Sequence, residues 1–214
     1  MSKDNKEQEI NLKILLLGDR SAGKTALLLK YIDDIDNYFP HIETIGVEII
    51  DKKTNINGID LNLKIYDTLN QERFRQLPKS FFRLAHGIML IYDITNRSTF
   101  ENMKNFLRDT EEYEGNVKKI IVGNNCESEN NRQVSKETLQ NLCQKKNIQG
   151  MEVSAKNGTN VNECFELLAK LIIEGKTKEE IIEKYSEAKH LVEIDDENLK
   201  EKFIHKNLEK YLNY

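Results

Sequence analysis

Residues 10–25 read I-N-L-K-I-L-L-L-G-D-R-S-A-G-K-T, an apolar run that stops at a glycine and re-enters regular structure at Lys24. The run Ile10–Leu17 has the length and apolar content of a strand, and Lys24–Asp33 carries the spacing of a helix. Between them, Gly18-Asp19-Arg20-Ser21-Ala22-Gly23-Lys24-Thr25 fits G-x-x-x-x-G-K-S/T in the context the pattern requires, after a strand and opening a helix. Successive backbone N–H groups in such a loop form a concave cradle for phosphate oxygens, and the helix N-terminus adds partial positive charge. Lys24 is placed to reach the outer phosphates, and the Thr25 hydroxyl to ligate Mg²⁺. The stretch fixes a nucleotide-phosphate site and leaves the base open.

Outward from this loop, apolar strand-like runs alternate with helical patterns, the signature of a parallel α/β sheet. Ile45–Asp51 and Ile59–Tyr66 flank Asn57-Gly58, a dipeptide suited to a type I′ turn, which predicts one antiparallel pair at the sheet edge. Gly87–Asp93 and Lys119–Gly123 are short apolar runs of the kind buried on both faces. The spacing predicts helices over Thr99–Glu114, capped by Ser98 or Thr99, over Ser135–Lys146 and over Asn160–Ile173, with a strand at Ile148–Val153. The expected architecture is an α/β domain with a mostly parallel six-stranded sheet and helices on both faces. A flexible N-terminus is expected over 1–8, the domain over 9–175, and an amphipathic helical extension over 176–214. In that extension Ile181, Tyr185, Ala188 and Val192 recur at helical spacing, as do Leu199, Phe203 and Leu208 with Tyr211 or Leu212. A break falls around Glu193–Asp196. Packing on the home domain and docking on a partner both stand open for it.

Composition narrows the partners. The chain has 214 residues, 32% of them charged, a net charge of −4 and a pI near 5.7, so nothing electrostatic points to nucleic acid or an anionic membrane. Cys126, Cys143 and Cys164 are odd in number and lack metal-ligand spacing, which reads as reduced thiols. Met1–Glu9 is polar, with no secretory apolar region, and no apolar run approaches the roughly 20 residues of a membrane helix. A soluble cytoplasmic protein is expected.

Further motifs bear on the base. Thr44-Ile-Gly-Val-Glu48, Asp67-Thr68 followed by Gln71-Glu72-Arg73-Phe74, Tyr92-Asp93-Ile94-Thr95, Asn124 and Ser154-Ala155-Lys156 follow the phosphate loop in order. Together they resemble the Ras-superfamily small GTPases of the Rab kind over about residues 10–175. The resemblance implies GTP/GDP and Mg²⁺ as cofactors. Thr25, Thr44 and Asp67 would serve the metal, Asp67 through water, and Gln71 would orient the water that attacks the γ-phosphate. Asn124 would face guanine N7 and O6, the backbone around Ala155 would donate to O6, and Ser154 and Lys156 would complete that loop. Tyr38 is the candidate for the aromatic that stacks on the base.

The chain departs from the family pattern at several places. Arg20 takes the third loop position, where these GTPases carry a small residue. A bulky cation there is expected to crowd Gln71 and impair hydrolysis, the alternatives being that it supplies positive charge to the transition state or turns out to solvent. The family's D-T-A-G reads Asp67-Thr68-Leu69-Asn70, without the glycine whose N–H meets the γ-phosphate. Asparagine tolerates positive φ better than most residues, so Asn70 can keep that bond, but its Cβ and amide and the added bulk of Leu69 are expected to hinder the GDP-to-GTP change. The N-K-x-D motif reads Asn124-Asn125-Cys126-Glu127; Glu127 keeps the carboxylate but adds a methylene, and Asn125 lacks the lysine stem. Distortion of a charge-assisted bond worth roughly 1.5–3 kcal/mol costs about tenfold or more in affinity. Positions that carry an aromatic triad in Rabs hold Ile49, Tyr66 and Phe81 or Phe82. No cysteine lies near the final residue, so no prenyl anchor is expected. The ten acidic and eight lysine residues beyond Gly175 make no polybasic substitute.

Two functions follow as expectations. One is a Rab-like GTP-binding switch or adaptor in vesicle trafficking, binding effectors through its switch regions and C-terminal helices and hydrolysing GTP poorly. The other is a pseudo-GTPase-like subunit of a larger assembly, cytoskeletal or ciliary, reaching membranes only through partners.

Overall fold

A computed structural model of the chain describes residues 10–32, 47–68, 82, 85–111 and 117–186. Six strands form one sheet in the order β2-β3-β1-β4-β5-β6: β1 (Ile10–Leu17), β2 (Val47–Ile56), β3 (Ile59–Thr68), β4 (Gly87–Asp93), β5 (Lys118–Asn124) and β6 (Gln149–Glu152). Only β2 runs antiparallel, paired with β3 from Val47↔Thr68 to Ile56↔Ile59 across the Asn57-Gly58 turn. Both turn residues take positive φ, 54° and 81°, as a type I′ turn demands. β2 continues to Ile56, five residues past the expected Asp51. Four of its five added residues, Lys52-Lys53-Thr54-Asn55, are polar, and the fifth, Ile56, is buried. An edge strand holds such a polar run because its outer side needs no apolar cover.

The inner strands read as their sequences dictate, with β1 and β4 buried along their whole length. One apolar layer joins α1 (Lys24–Ile32), α4 (Val161–Ile173) and α5 (Lys178–Ser186) to one face of the sheet, with Tyr31 stacked on Phe165 at 3.9 Å. The opposite layer joins α2 (Arg97–Glu111) and α3 (Lys136–Lys146) through Phe100, Met103, Leu107 and Leu139. The expected helices on both faces are therefore present.

Helix ends needed one correction. α2 begins at Arg97, and neither Ser98 nor Thr99 caps it: the Asn96 Oδ1 accepts the Ser98 N–H (3.1 Å), while Thr99 is buried and donates to the Asn96 carbonyl (2.7 Å). An asparagine side chain reaches the second helical N–H as well as serine does. α3 is capped by Ser135, which accepts from Thr138 N–H.

α5 packs on the domain. Thr177 and Glu180 cap its start reciprocally, Ile181 and Tyr185 are buried, and the Tyr185 ring lies 4.7 Å from that of His86. His86 Nδ1 accepts the Lys13 N–H (3.0 Å), and burial pushes the imidazole down to about 4, helped by Lys13 and Lys184. The helical spacing beyond Ser186 falls outside the described residues. Among the described residues no helix is long and apolar enough to cross a membrane.

Candidate functional site

The order of the strands puts the site where it is. From β1 the chain goes to β2 and β3 on one side and to β4 on the other, so the loop after β1 opens at the point where the winding reverses. Ligands of open α/β sheets bind in that crevice, at the carboxyl ends of the strands. Gly18, Asp67, Asp93, Asn124 and Ser154 all lie at or just beyond such ends.

The phosphate loop is built on two glycines. A Cβ on Gly18 would stand 2.1 Å from the Ile91 carbonyl oxygen, and its φ of 154° is open only to glycine. Asp19 leads into a short 3₁₀ turn, Arg20–Ala22, which closes with the Ala22 N–H donating to the Asp19 carbonyl (3.1 Å). Gly23 then reverses the backbone at φ 79°, and a Cβ there would sit 2.3 Å from Asn124 Nδ2. Ser21 and Arg20 are exposed, Ala22 is buried, and the Asn102 amide of α2 donates to Asp19 Oδ2 (2.7 Å).

Lys24 is buried, and its ammonium donates to the carbonyls of Gly18 (2.9 Å) and Asp19 (2.8 Å). Burial pulls its pKa down to about 8, against the opposing charges of Asp67 and Asp19. Beside it, Thr25 donates to Asp67 Oδ2 (2.5 Å). Asp67 is fully buried, and burial raises its pKa, with the Thr25 bond and Lys24 opposing. Its other oxygen, Oδ1, has no partner among the described residues. A hydroxyl and a carboxylate side by side, with one buried carboxylate oxygen unsatisfied, are oxygen donors of the kind Mg²⁺ takes.

The base side is a lattice of side-chain bonds. Asn124, buried at the end of β5, donates to the Ala22 carbonyl (3.1 Å) and accepts the Ala155 N–H (3.1 Å). It thus ties the phosphate loop to the Ser154-Ala155-Lys156 loop. The resemblance gave the N–H around Ala155 to the base; here that of Ala155 is held by Asn124. Ser154 is buried and its Oγ accepts the Asn157 N–H (3.1 Å), while Lys156 is exposed. Asn125 takes φ 66°, which asparagine tolerates, and the Cys126 N–H donates to the Val153 carbonyl (3.0 Å). Glu127 is exposed, with Ser128 Oγ at 3.5 Å.

Two sets of contacts had no sequence signal strong enough to find them. Asn102 reaches Asp19 from 83 residues away, and Arg132 binds Glu129 and Glu152 around the base loop. Only the Glu129–Arg132 pair, three residues apart, has a local spacing that could have exposed it.

Residues 13–174 match the Ras family. Among curated relatives, Ras-related protein Rab-8B of Pongo abelii is 43% identical over 162 residues, covering 75% of this chain and 78% of the relative. GTP-binding protein YPTM2 of Zea mays is 40% identical, covering 77% and 81%, and Ras-related protein RABD2c of Arabidopsis thaliana is 41% identical, covering 75% and 80%. The chain belongs to the Ras family as a Rab-like small GTPase.

Within this Rab-like frame, Tyr38, Thr44, Asn70 and Gln71 lie outside the described residues, as do Leu69 and Phe81. Of the triad positions that remain, Ile49 is half-buried directly opposite Tyr66 in the β2–β3 register, and Tyr66 and Phe82 are buried in one apolar cluster. Those two aromatics serve the core.

Proposed function

We propose that this Rab-like chain binds GTP and GDP with Mg²⁺ and hydrolyses GTP slowly, acting as a switch or adaptor for effector or assembly proteins. The observation that carries the reading is the Thr25–Asp67 pair beside Lys24, with Asp67 Oδ1 buried and unsatisfied at the mouth of a glycine-built cradle. Thr25 and Asp67, with Thr44, would hold the ion, which supplies charge neutralisation to the transferring phosphoryl group. Lys24 would exchange its two carbonyl partners for phosphate oxygens, whose negative charge would favour its ammonium form. Asn124, Glu127 and the Ser154-Ala155-Lys156 loop would face guanine.

Slow hydrolysis rests on Arg20, and a hindered GDP-to-GTP change on Leu69 and Asn70, the departures nearest the γ-phosphate. Arg20 is exposed, so its effect would come from reaching over the loop toward Gln71, not from filling the cradle. The family supports a trafficking role, and membrane or cytoskeletal association through partners is part of the same proposal.

Identification of the nucleotide in purified protein, then single-turnover hydrolysis, tests this. Bound guanine nucleotide with conversion over many minutes or longer is the expected result, and Arg20→Gly with Asn70→Gly should speed it. GTP that persists for hours in that double variant would favour a static adaptor. A site that neither GTP nor GDP fills would sink the reading.

A further inference from the structure

The base loop holds three carboxylates within a few residues or one strand of each other, and only one is left to read a ligand. Arg132 takes the other two. Its Nε and Nη2 donate to the Glu129 carboxylate (2.9 and 2.6 Å), Nη1 and Nη2 donate to Glu152 (2.6 and 2.9 Å), and Nη1 also donates to the Val134 carbonyl (2.9 Å). All five N–H groups of the guanidinium are thereby used. The pair with Glu152 is well shielded, the side chains being 12% and 11% exposed, whereas Glu129 is 59% exposed.

The position of this fork matters. Glu152 ends β6 and leads directly into Ser154-Ala155-Lys156, while Glu129 belongs to the turn that follows Glu127. Backbone bonds already run between the two segments, Val153 N–H to the Gly123 carbonyl and Cys126 N–H to the Val153 carbonyl, at 2.8 and 3.0 Å. Those bonds fix the roots of the segments. The far end of the turn is tied to the end of β4, the Gln133 and Val134 N–H groups donating to the Ile94 carbonyl (2.8 and 3.0 Å) and Gln133 Oε1 accepting the Arg97 N–H (3.0 Å). Arg132 is the side chain that ties the turn beyond Glu127 to β6. It also neutralises Glu129 and Glu152, which would otherwise repel the Glu127 carboxylate or compete with it for the N–H groups of a base.

We propose that Arg132 is the positioning residue of the base-recognition loop: by cross-linking Glu129 to Glu152 it holds Glu127 against the Ser154-Ala155-Lys156 loop and sets the preference for a purine bearing a 2-amino group. The inference rests on the proposed nucleotide reading. Rigid, bidentate geometry is what a guanidinium supplies and an ammonium does not, so charge alone is insufficient.

The test compares dissociation constants of the full chain for GDP, inosine diphosphate and pyrophosphate. Arg132→Gln should weaken GDP by about tenfold, the worth of roughly one charge-assisted bond, and bring GDP and inosine diphosphate toward equal affinity. Pyrophosphate, which touches only the phosphate loop, should bind unchanged. Arg132→Lys should keep the charge and still lose the preference for GDP. Should Arg132→Gln fail to fold, Glu129→Gln removes the exposed arm alone and should shift the GDP preference in the same direction by a smaller factor. An unchanged preference in whichever variant folds overturns the proposal, as does full retention in Arg132→Lys or equal weakening of all three ligands. A wild-type chain that binds neither GDP nor pyrophosphate would instead sink the nucleotide reading itself.

Discussion

The phosphate half and the base half of the site are made by different means. The phosphate half depends on the absence of side chains at Gly18 and Gly23 and on two buried charges, Lys24 and Asp67. The base half depends on the presence of side chains, with Asn124, Ser154 and Arg132 bonding backbone or carboxylates across 31 residues or fewer. Asn124 is shared, since its Nδ2 reaches the Ala22 carbonyl 102 positions away. A site of the first kind fails by steric intrusion. One of the second kind fails by losing bonds, and its exposed reader can change while the scaffold stays.

The largest break in this comparison is Gly18→Ala. Its Cβ meets the Ile91 carbonyl in β4 at 2.1 Å, so the backbone must move at the sheet's centre. Overpacking and a glycine-only φ together predict a loss of about 2–5 kcal/mol by denaturant unfolding. A loss under about 1 kcal/mol would mean that the loop tolerates a shift and that its glycine is not steric in purpose.

Asn124→Ala comes next, because it breaks both halves through bonds alone. It leaves the Ala22 carbonyl and the Ala155 N–H without their partner, at about 1–3 kcal/mol each if neither is re-solvated. The expected destabilisation is roughly 2–4 kcal/mol, with pyrophosphate and GDP binding both weakened. Weakened GDP alone would show that the two halves are not coupled through this residue.

Acid provides a control at the opposite end of the sheet, where α5 covers His86. The His86 pKa is lowered in the folded chain to about 4 from 6.5, so the unfolded chain takes up the proton first as pH falls. Stability should therefore be full above pH 6.5 and decline toward pH 4, by roughly 2 kcal/mol, discounted because the ring is half-buried. His86→Phe should flatten that slope while leaving GDP binding near neutral pH intact. A slope that persists in the variant would assign the acid response to other groups.

Much of this division is legible in the sequence, and the reason is physical. Gly18, Gly23, Lys24 and Thr25 sit within eight residues, so local spacing encodes the cradle. β1 and β4 are buried along their whole length because both faces are covered, and apolar residues fill them except at Asn11, Lys13 and Asp93. What the sequence did not give away lies in long-range pairing: Asn102 with Asp19, and Arg132 with Glu152. An asparagine on a helix or an arginine in a polar turn looks like an ordinary solvated residue until the fold brings its partner. The same logic explains β2, whose polar second half satisfies an edge and mimics a loop.

The finest test touches the exposed reader alone. Glu127 is exposed and has only Ser128 Oγ, at 3.5 Å, as a partner among the described residues. Glu127→Asp should therefore leave unfolding within about 0.5 kcal/mol of the parent, as surface substitutions do. If the base half is an intact scaffold carrying an overlong carboxylate, shortening it by one methylene restores a bidentate approach to a guanine edge. GDP affinity should then rise up to about tenfold, near 1.4 kcal/mol, with pyrophosphate affinity unchanged. The restored bond forms only where Arg132 still holds the turn, so the same substitution in an Arg132→Gln background should gain little. An equal gain in both backgrounds would show that Glu127 positions itself, and the contrast between a rigid scaffold and a variable reader would fall.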